Sequence, residues 1–63
     1  MKIEYDPEAD SAYIWLNDLE SHAKNYSNEI WPMELNNEIG ILFTADKKIM
    51  GFEVINASKY LDV

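Results

Sequence analysis

Cysteine and arginine are absent from this 63-residue chain, and histidine occurs once, as His22. Without cysteine there is neither a disulfide nor a thiolate metal site to staple the chain. With a single histidine, a multi-histidine site within one chain is excluded too. Five lysines are scattered at Lys2, Lys24, Lys47, Lys48 and Lys59, so no basic stripe exists to neutralise phosphates. Direct nucleic-acid binding is not expected. Glycine and proline are scarce, two of each, which leaves no Gly-rich phosphate loop, linker or low-complexity stretch. No apolar run nears the roughly 20 residues of a membrane span. Met1-Lys2-Ile3-Glu4-Tyr5 lacks the apolar stretch of a secretory signal. We therefore expect no membrane partner and a cytoplasmic location.

Hydrophobic residues make up 48% and aromatics 13% of the chain, too rich a mixture for a disordered tail. A single domain spanning residues 1–63 is expected. A domain this short buries only about 60% of the surface of its unfolded chain, so it needs a staple. With disulfides excluded and no metal set evident, the staple left is association, and a homo-oligomer, in the first instance a dimer, is expected. Twelve acids oppose the five lysines for a net charge of −7. Such a surface suits a basic protein partner through steering and complementarity, or serves solubility alone.

The chain reads as short strands separated by turn signals. Lys2 to Asp6 alternates, with Ile3 and Tyr5 on one face. Pro7 to Asp10 is a turn, because proline fixes φ and aspartates satisfy turn backbones. Ser11 to Asn17 carries β-favouring Tyr13, Ile14 and Trp15. Asp6-Pro7-Glu8 also resembles a helix start, and Ala9, Ala12, Tyr13, Leu16 and Leu19 fall at helical spacing. Period-two alternation of Ala12, Ile14 and Leu16 against Tyr13 and Trp15 fits a strand equally well. Asp18 to Ser21 is loop-like, and Ala23 to Met33 is weakly patterned around Tyr26, Ile30 and Trp31. Trp31 precedes Pro32 and should be extended, on an edge or at an irregularity. Asn36-Asn37 marks a turn or bulge. Ile39 to Thr44, a turn at Ala45 to Lys48, and Ile49 to Ile55 form a hairpin. Within Ile49 to Ile55, alternation puts Met50, Phe52 and Val54 on one face and Gly51, Glu53 and Ile55 on the other. Asn56 or Ala57-Ser58 would cap a helical turn through Lys59-Tyr60-Leu61.

Two stretches carry a family resemblance: Lys2 to Leu16 (KIEYDPEADSAYIWL) and Ile49 to Ser58 (IMGFEVINAS). The first is similar to a tyrosine-aspartate strand end, an acidic turn and a Tyr-Ile-x-Leu strand. The second is similar to an apolar pair, Gly, an apolar residue, Glu, two apolar residues and x-Ala-Ser. Together they resemble the YuzE-like family of short bacterial proteins, a domain of unknown function. The resemblance tips the ambiguous second segment to strand. It also implies a protein partner, since members resemble the antitoxin-like halves of small gene pairs. The fold expected is mainly β of the α+β kind: a small antiparallel sheet of four to five strands with a short C-terminal helical turn.

Asp6, Glu8 and Asp10 place carboxylates at alternate positions, as calcium loops do. The rest of that loop fails, since Ser11 stands where glycine is needed and Asn17 where a bidentate Glu is needed. The simplest role for these acids is holding their turn by side-chain to backbone hydrogen bonds, and a further one is an acidic knob for a partner's Lys or Arg. His22 beside Glu20 would suit a general base, but no nucleophile is arranged with it. Paired carboxylates for glycoside chemistry need a cleft that so short a chain hardly makes. Neither catalysis nor a cofactor is expected. Tyr13 and Trp15, on the strand face opposite Ala12, Ile14 and Leu16, are large for a solvated surface and are of the type enriched at interfaces. The expected protein-binding residues are Asp6, Glu8, Asp10, Tyr13 and Trp15, and the expected dimer would bury Tyr13 and Trp15. They would serve an antitoxin-like partner covering a basic protein, a nucleic-acid mimic, or a self-assembling accessory module.

Overall fold

The computed structural model describes residues 1–16 and 26–63. The five strands are β1 (Lys2–Asp6), β2 (Ser11–Trp15), β3 (Tyr26–Ile30), β4 (Ile39–Thr44) and β5 (Ile49–Ile55), with 3-10 turns at Met33–Leu35 and Ala57–Lys59. Among the described residues there is no α-helix, and no helix is long and apolar enough to cross a membrane. The fold is therefore mainly β, as expected, with five strands, the upper of the four to five expected; it is not α+β, and the C-terminal turn is one 3-10 turn. So short a segment, Ala57 to Lys59, has no room for repeated i to i−4 bonds. The expected cap is absent as well. Asn56 enters the turn in the left-handed region (φ 56°) with no side-chain capping bond.

The strands form a single sheet in the order β1-β2-β5-β4-β3, every pairing antiparallel. β1 and β2 form one hairpin, and β3, β4 and β5 form a meander. The non-local β2·β5 pairing, Ala12 opposite Val54 and Ile14 opposite Phe52, welds the two units. The candidate helix over residues 8 to 20 resolves to strand across Ser11–Trp15. Tertiary pairing on both sides outweighs the local helical spacing there. The loop expected at Asp18 to Ser21 and the Glu20–His22 pair lie outside the described residues.

Directly opposed residues in an antiparallel ladder share a face, so the register sorts every strand side chain. One face carries the row Ile3, Ile14, Phe52, Ile41 and Ile30, and beside it Tyr5, Ala12, Val54 and Ile39. The other carries Lys2, Trp15, Gly51, Leu42 and Glu29, then Glu4, Tyr13, Glu53 and Gly40. Buried residues follow the same division. Ala12, Val54 and Ala57 cluster on the first face, joined by half-buried Ile14, Ile39, Tyr60 and Leu61. Trp15, Leu42 and Met50 cluster on the second.

Met50 corrects the sequence reading, which set it beside Phe52 and Val54. The register slips between Leu42 and Phe43, so that Leu42 faces Gly51 while Phe43 faces Ile49. A bulge of this kind sets two residues against one and breaks alternation. It turns Met50 onto the Trp15 face.

Both glycines lie on that same face beneath tryptophans. A Cβ on Gly40 would sit 2.7 Å from Trp31 Cε2. A Cβ on Gly51 would run into the Ile14 carbonyl oxygen and come within 3.0 Å of the Trp15 ring. Glycine here supplies close approach, with φ in the ordinary extended range.

The two edge strands are blunted. β1 alternates Lys2, Glu4 and Asp6 along its length, and β3 carries an irregularity between Tyr26 and Asn28 and ends two residues before Pro32. Charges, irregularities and proline are the devices that discourage edge-to-edge pairing.

Candidate functional site

The acidic turn between β1 and β2 is built mostly for holding structure. Asp6 Oδ1 accepts the Glu8 backbone N–H at 3.1 Å, a bond of the Asx-turn type. Asp10, in the left-handed region at φ 50°, reaches across the chain instead of into its own turn. Its Oδ1 accepts the Tyr5 hydroxyl at 2.9 Å and the Ser58 N–H at 3.0 Å, and its Oδ2 accepts the Ser58 hydroxyl at 2.7 Å. The Ala57 N–H donates to the Asp10 carbonyl at 2.7 Å. Hydrogen bonds from Ser58 and Tyr5 hold the Asp10 carboxyl below its ordinary range, and the same contact raises the Tyr5 phenol. A carboxylate so satisfied is a poor base for Ser58, so this trio reads as a clamp and not as a nucleophile with its activator.

A second carboxylate does the same work beside it. Glu38 accepts from the Lys59 ammonium at 2.8 Å, from the Tyr60 hydroxyl and from the Asn56 amide. These contacts, Lys59 first, hold its pKa down at about 2. Asp10 and Glu38 thereby pin the C-terminal turn over one end of the first face.

Tyr13 and Trp15 occupy one face, stacked with ring centroids 5.2 Å apart and planes 3° from parallel. They differ in exposure. Trp15 is 8% exposed, packed against Leu42 and Met50, and its indole N–H donates to Glu4 Oε1 at 2.6 Å. Tyr13 is 38% exposed. Of the five residues expected to bind a partner, then, Asp10 is engaged within the chain and Trp15 is covered by it. Tyr13, Glu8 and Asp6 stay open to solvent.

The structure adds residues that sequence reading passed over. Every charged residue lying in a described strand, Lys2, Glu4, Asp6, Glu29 and Glu53, falls on the Tyr13 face. Glu53, half-buried, is hydrogen-bonded to Glu29 and to Tyr13. Burial first, then the neighbouring Glu29, pushes its carboxyl above the ordinary range. Among the described residues, no three His, Cys, Asp or Glu side chains are grouped so as to hold a metal ion. Among the described residues, the face is an acidic surface with an exposed aromatic ring.

Among the described residues, the opposite face holds no strand charge. Ile3 is 56% exposed, Ile30 48% and Ile49 45%. At its β3 corner is a shallow hollow lined by Asn28, Ile30, Phe43, Thr44 and Lys47. The signal for this face was present in the sequence as the alternation of Ile3, Ile14, Ile41 and Phe52. Their alignment into one row was not, because it depends on the β2·β5 register.

A family model described as "Protein of unknown function (DUF2283)" matches residues 2–58. The chain belongs to this family. The DUF2283 match takes in both Asp10 and Ser58, the two ends of the clamp. No curated protein and no solved structure gives a significant match. Membership in DUF2283 fixes the kind of domain and assigns it no activity.

Proposed function

We propose that this DUF2283 domain is a cytoplasmic, non-enzymatic protein-binding module whose Tyr13 face receives a small basic protein. The supporting observation is the segregation of charge. All five charged residues of the described strands, four of them acidic, share the face that also exposes Tyr13. Clustered carboxylates around an aromatic ring offer a Lys- or Arg-rich partner long-range attraction and a contact for its cation over the ring. The antitoxin-like character implied by the YuzE-like resemblance fits this reading: the domain would cover a basic site on its partner. Asp6, on the same face, extends the acidic surface, and Glu8 is exposed in the turn that follows it. Asp10 contributes by holding the fold.

The test is a pull-down from the source cell with the tagged chain, at low and at physiological salt, beside a Tyr13→Ala/Glu29→Lys double variant. A stoichiometric small basic protein, weakened by salt and lost from the variant, is the expected result. An eluate without such a protein, or one that the variant retains in full, would overturn the proposal.

A further inference from the structure

Beyond binding a basic partner on the acidic face, the opposite face carries its own consequence. Ile3, Ile14, Phe52, Ile41 and Ile30 stand in one register row, one residue from each strand. The pinned C-terminal turn covers the neighbouring row at Ala12, Val54 and Ile39. The long row stays open at both ends, with Ile3 and Ile30 about half exposed. A sheet with apolar side chains on both faces needs a layer on each, and the described residues put only the C-terminal turn over this one.

We propose that the layer is a second copy of the same chain, packed sheet on sheet through this row. Charge decides the occupant. With a net charge of −7, two copies repel each other through most of their surface. This is the face on which no strand carboxylate would oppose another, because all the strand charges lie on the other side. A basic partner finds no carboxylate on these strands to recognise. A two-fold stacking of sheets about 10 Å apart is the usual packing for such faces. Edge-to-edge assembly is opposed by the charges of β1 and the irregularity in β3.

Size sets the strength. Five strands about 4.8 Å apart, with one open row of side chains about 7 Å wide, give a flat footprint of about 170 Å² per copy. Side-chain relief enlarges this, yet it stays under the roughly 800 Å² per partner of a standard stable interface. The dimer is therefore concentration-dependent, and the acidic face of each copy remains free for the partner proposed above.

The experiment is sedimentation equilibrium of the full chain from about 1 µM to about 1 mM, a range that brackets weak association. A reversible monomer–dimer equilibrium is expected. In an Ile3→Asp/Ile30→Asp variant that keeps its β-sheet circular dichroism, the dissociation constant should rise at least about 100-fold. Tyr13→Ala/Glu29→Lys should dimerise like the wild type. A second readout needs no mutation. With a soluble paramagnetic probe, the Ile3, Ile30 and Ile41 methyl groups should lose accessibility on concentration while the Tyr13 ring does not. A wild-type chain monomeric across the whole range, a dimer surviving the double aspartate variant, or protection at Tyr13 instead of the isoleucines would each overturn the proposal. Failure here leaves the acidic-face reading standing, since that one is tested by the basic partner and by substitutions on the other side.

Discussion

The two faces of the sheet are made from the same strands and share few properties. The Tyr13 face concentrates its apolar volume in a few large groups: Trp15 buried against Leu42 and Met50, Trp31 over Gly40, and a fringe of Glu4, Glu29 and Glu53. The Ile14 face spreads its apolar volume as a row of medium-sized side chains and has a single covered end. One face is therefore largely finished by the chain itself, with charge left over for recognition. The other is finished at one end only. A thickness of 16 Å along the shortest principal axis suits a single sheet with partial cover.

This difference predicts unequal costs for substitutions of similar kind. Trp15→Ala empties the covered face and should lower stability by about 3 kcal/mol, read from the urea midpoint of dilute protein. Ile3→Ser on the open face should cost under about 0.5 kcal/mol in the same experiment. Equal costs would mean that the open face is packed in the monomer.

Next in size is the loss of the clamp. Ser58→Ala removes the hydroxyl bond to Asp10 Oδ2 and leaves Oδ1 with the backbone N–H of position 58 and the Tyr5 hydroxyl. The amides of Ala57 and Leu61 should exchange about tenfold faster, while those of β4 and β5 change little. Uniform acceleration would show that the C-terminal turn unfolds only with the whole domain.

The smallest effects are electrostatic, and they run in opposite directions. Glu53 has a raised pKa from burial and from Glu29. The fold therefore favours its protonated form. That contribution is complete below the ordinary Glu value and is lost as pH rises through the raised one. At neutral pH Glu53→Gln should stabilise by about 0.5 kcal/mol, the scale of a like-charge contact on one sheet face, and the advantage should vanish in acid. Glu38, held at about 2 chiefly by Lys59, has the reverse sign. Its contribution is complete above the ordinary value of 4.5 and is lost as pH falls towards 2. Glu38→Gln should flatten the acid limb of the stability curve between those values. A Glu38→Gln curve parallel to the wild type would contradict the assigned contacts.

Much of the sheet is legible in the sequence because it rests on local alternation. Lys2–Asp6, Ile39–Thr44 and Ile49–Ile55 stand where period-two patterning and turn residues put them. The left-handed residues Asn36 and Asn37 follow from the ease with which asparagine adopts positive φ. What escapes is non-local. Asp10 meets Ser58 across 48 positions, so it reads as one more turn aspartate until the sheet closes. Met50 changes face through a bulge that no alternation announces. Trp15 looks like an interface anchor from its type and its strand position. It becomes a core residue once Leu42 and Met50 arrive from β4 and β5. The apolar row across all five strands depends on the pairing of β2 with β5, which joins segments about 40 residues apart.

The segregation of charge onto one face is the central claim, and the salt dependence of self-association tests it most directly. Sedimentation equilibrium of the wild-type chain at about 50 mM and about 500 mM salt, where screening lengths differ several-fold, should show the dimer unchanged or tighter at high salt. Screening removes repulsion between acidic chains and touches no charge pair in an apolar contact. A dimer that loosens with salt would place charged groups in the interface and contradict the division of the two faces.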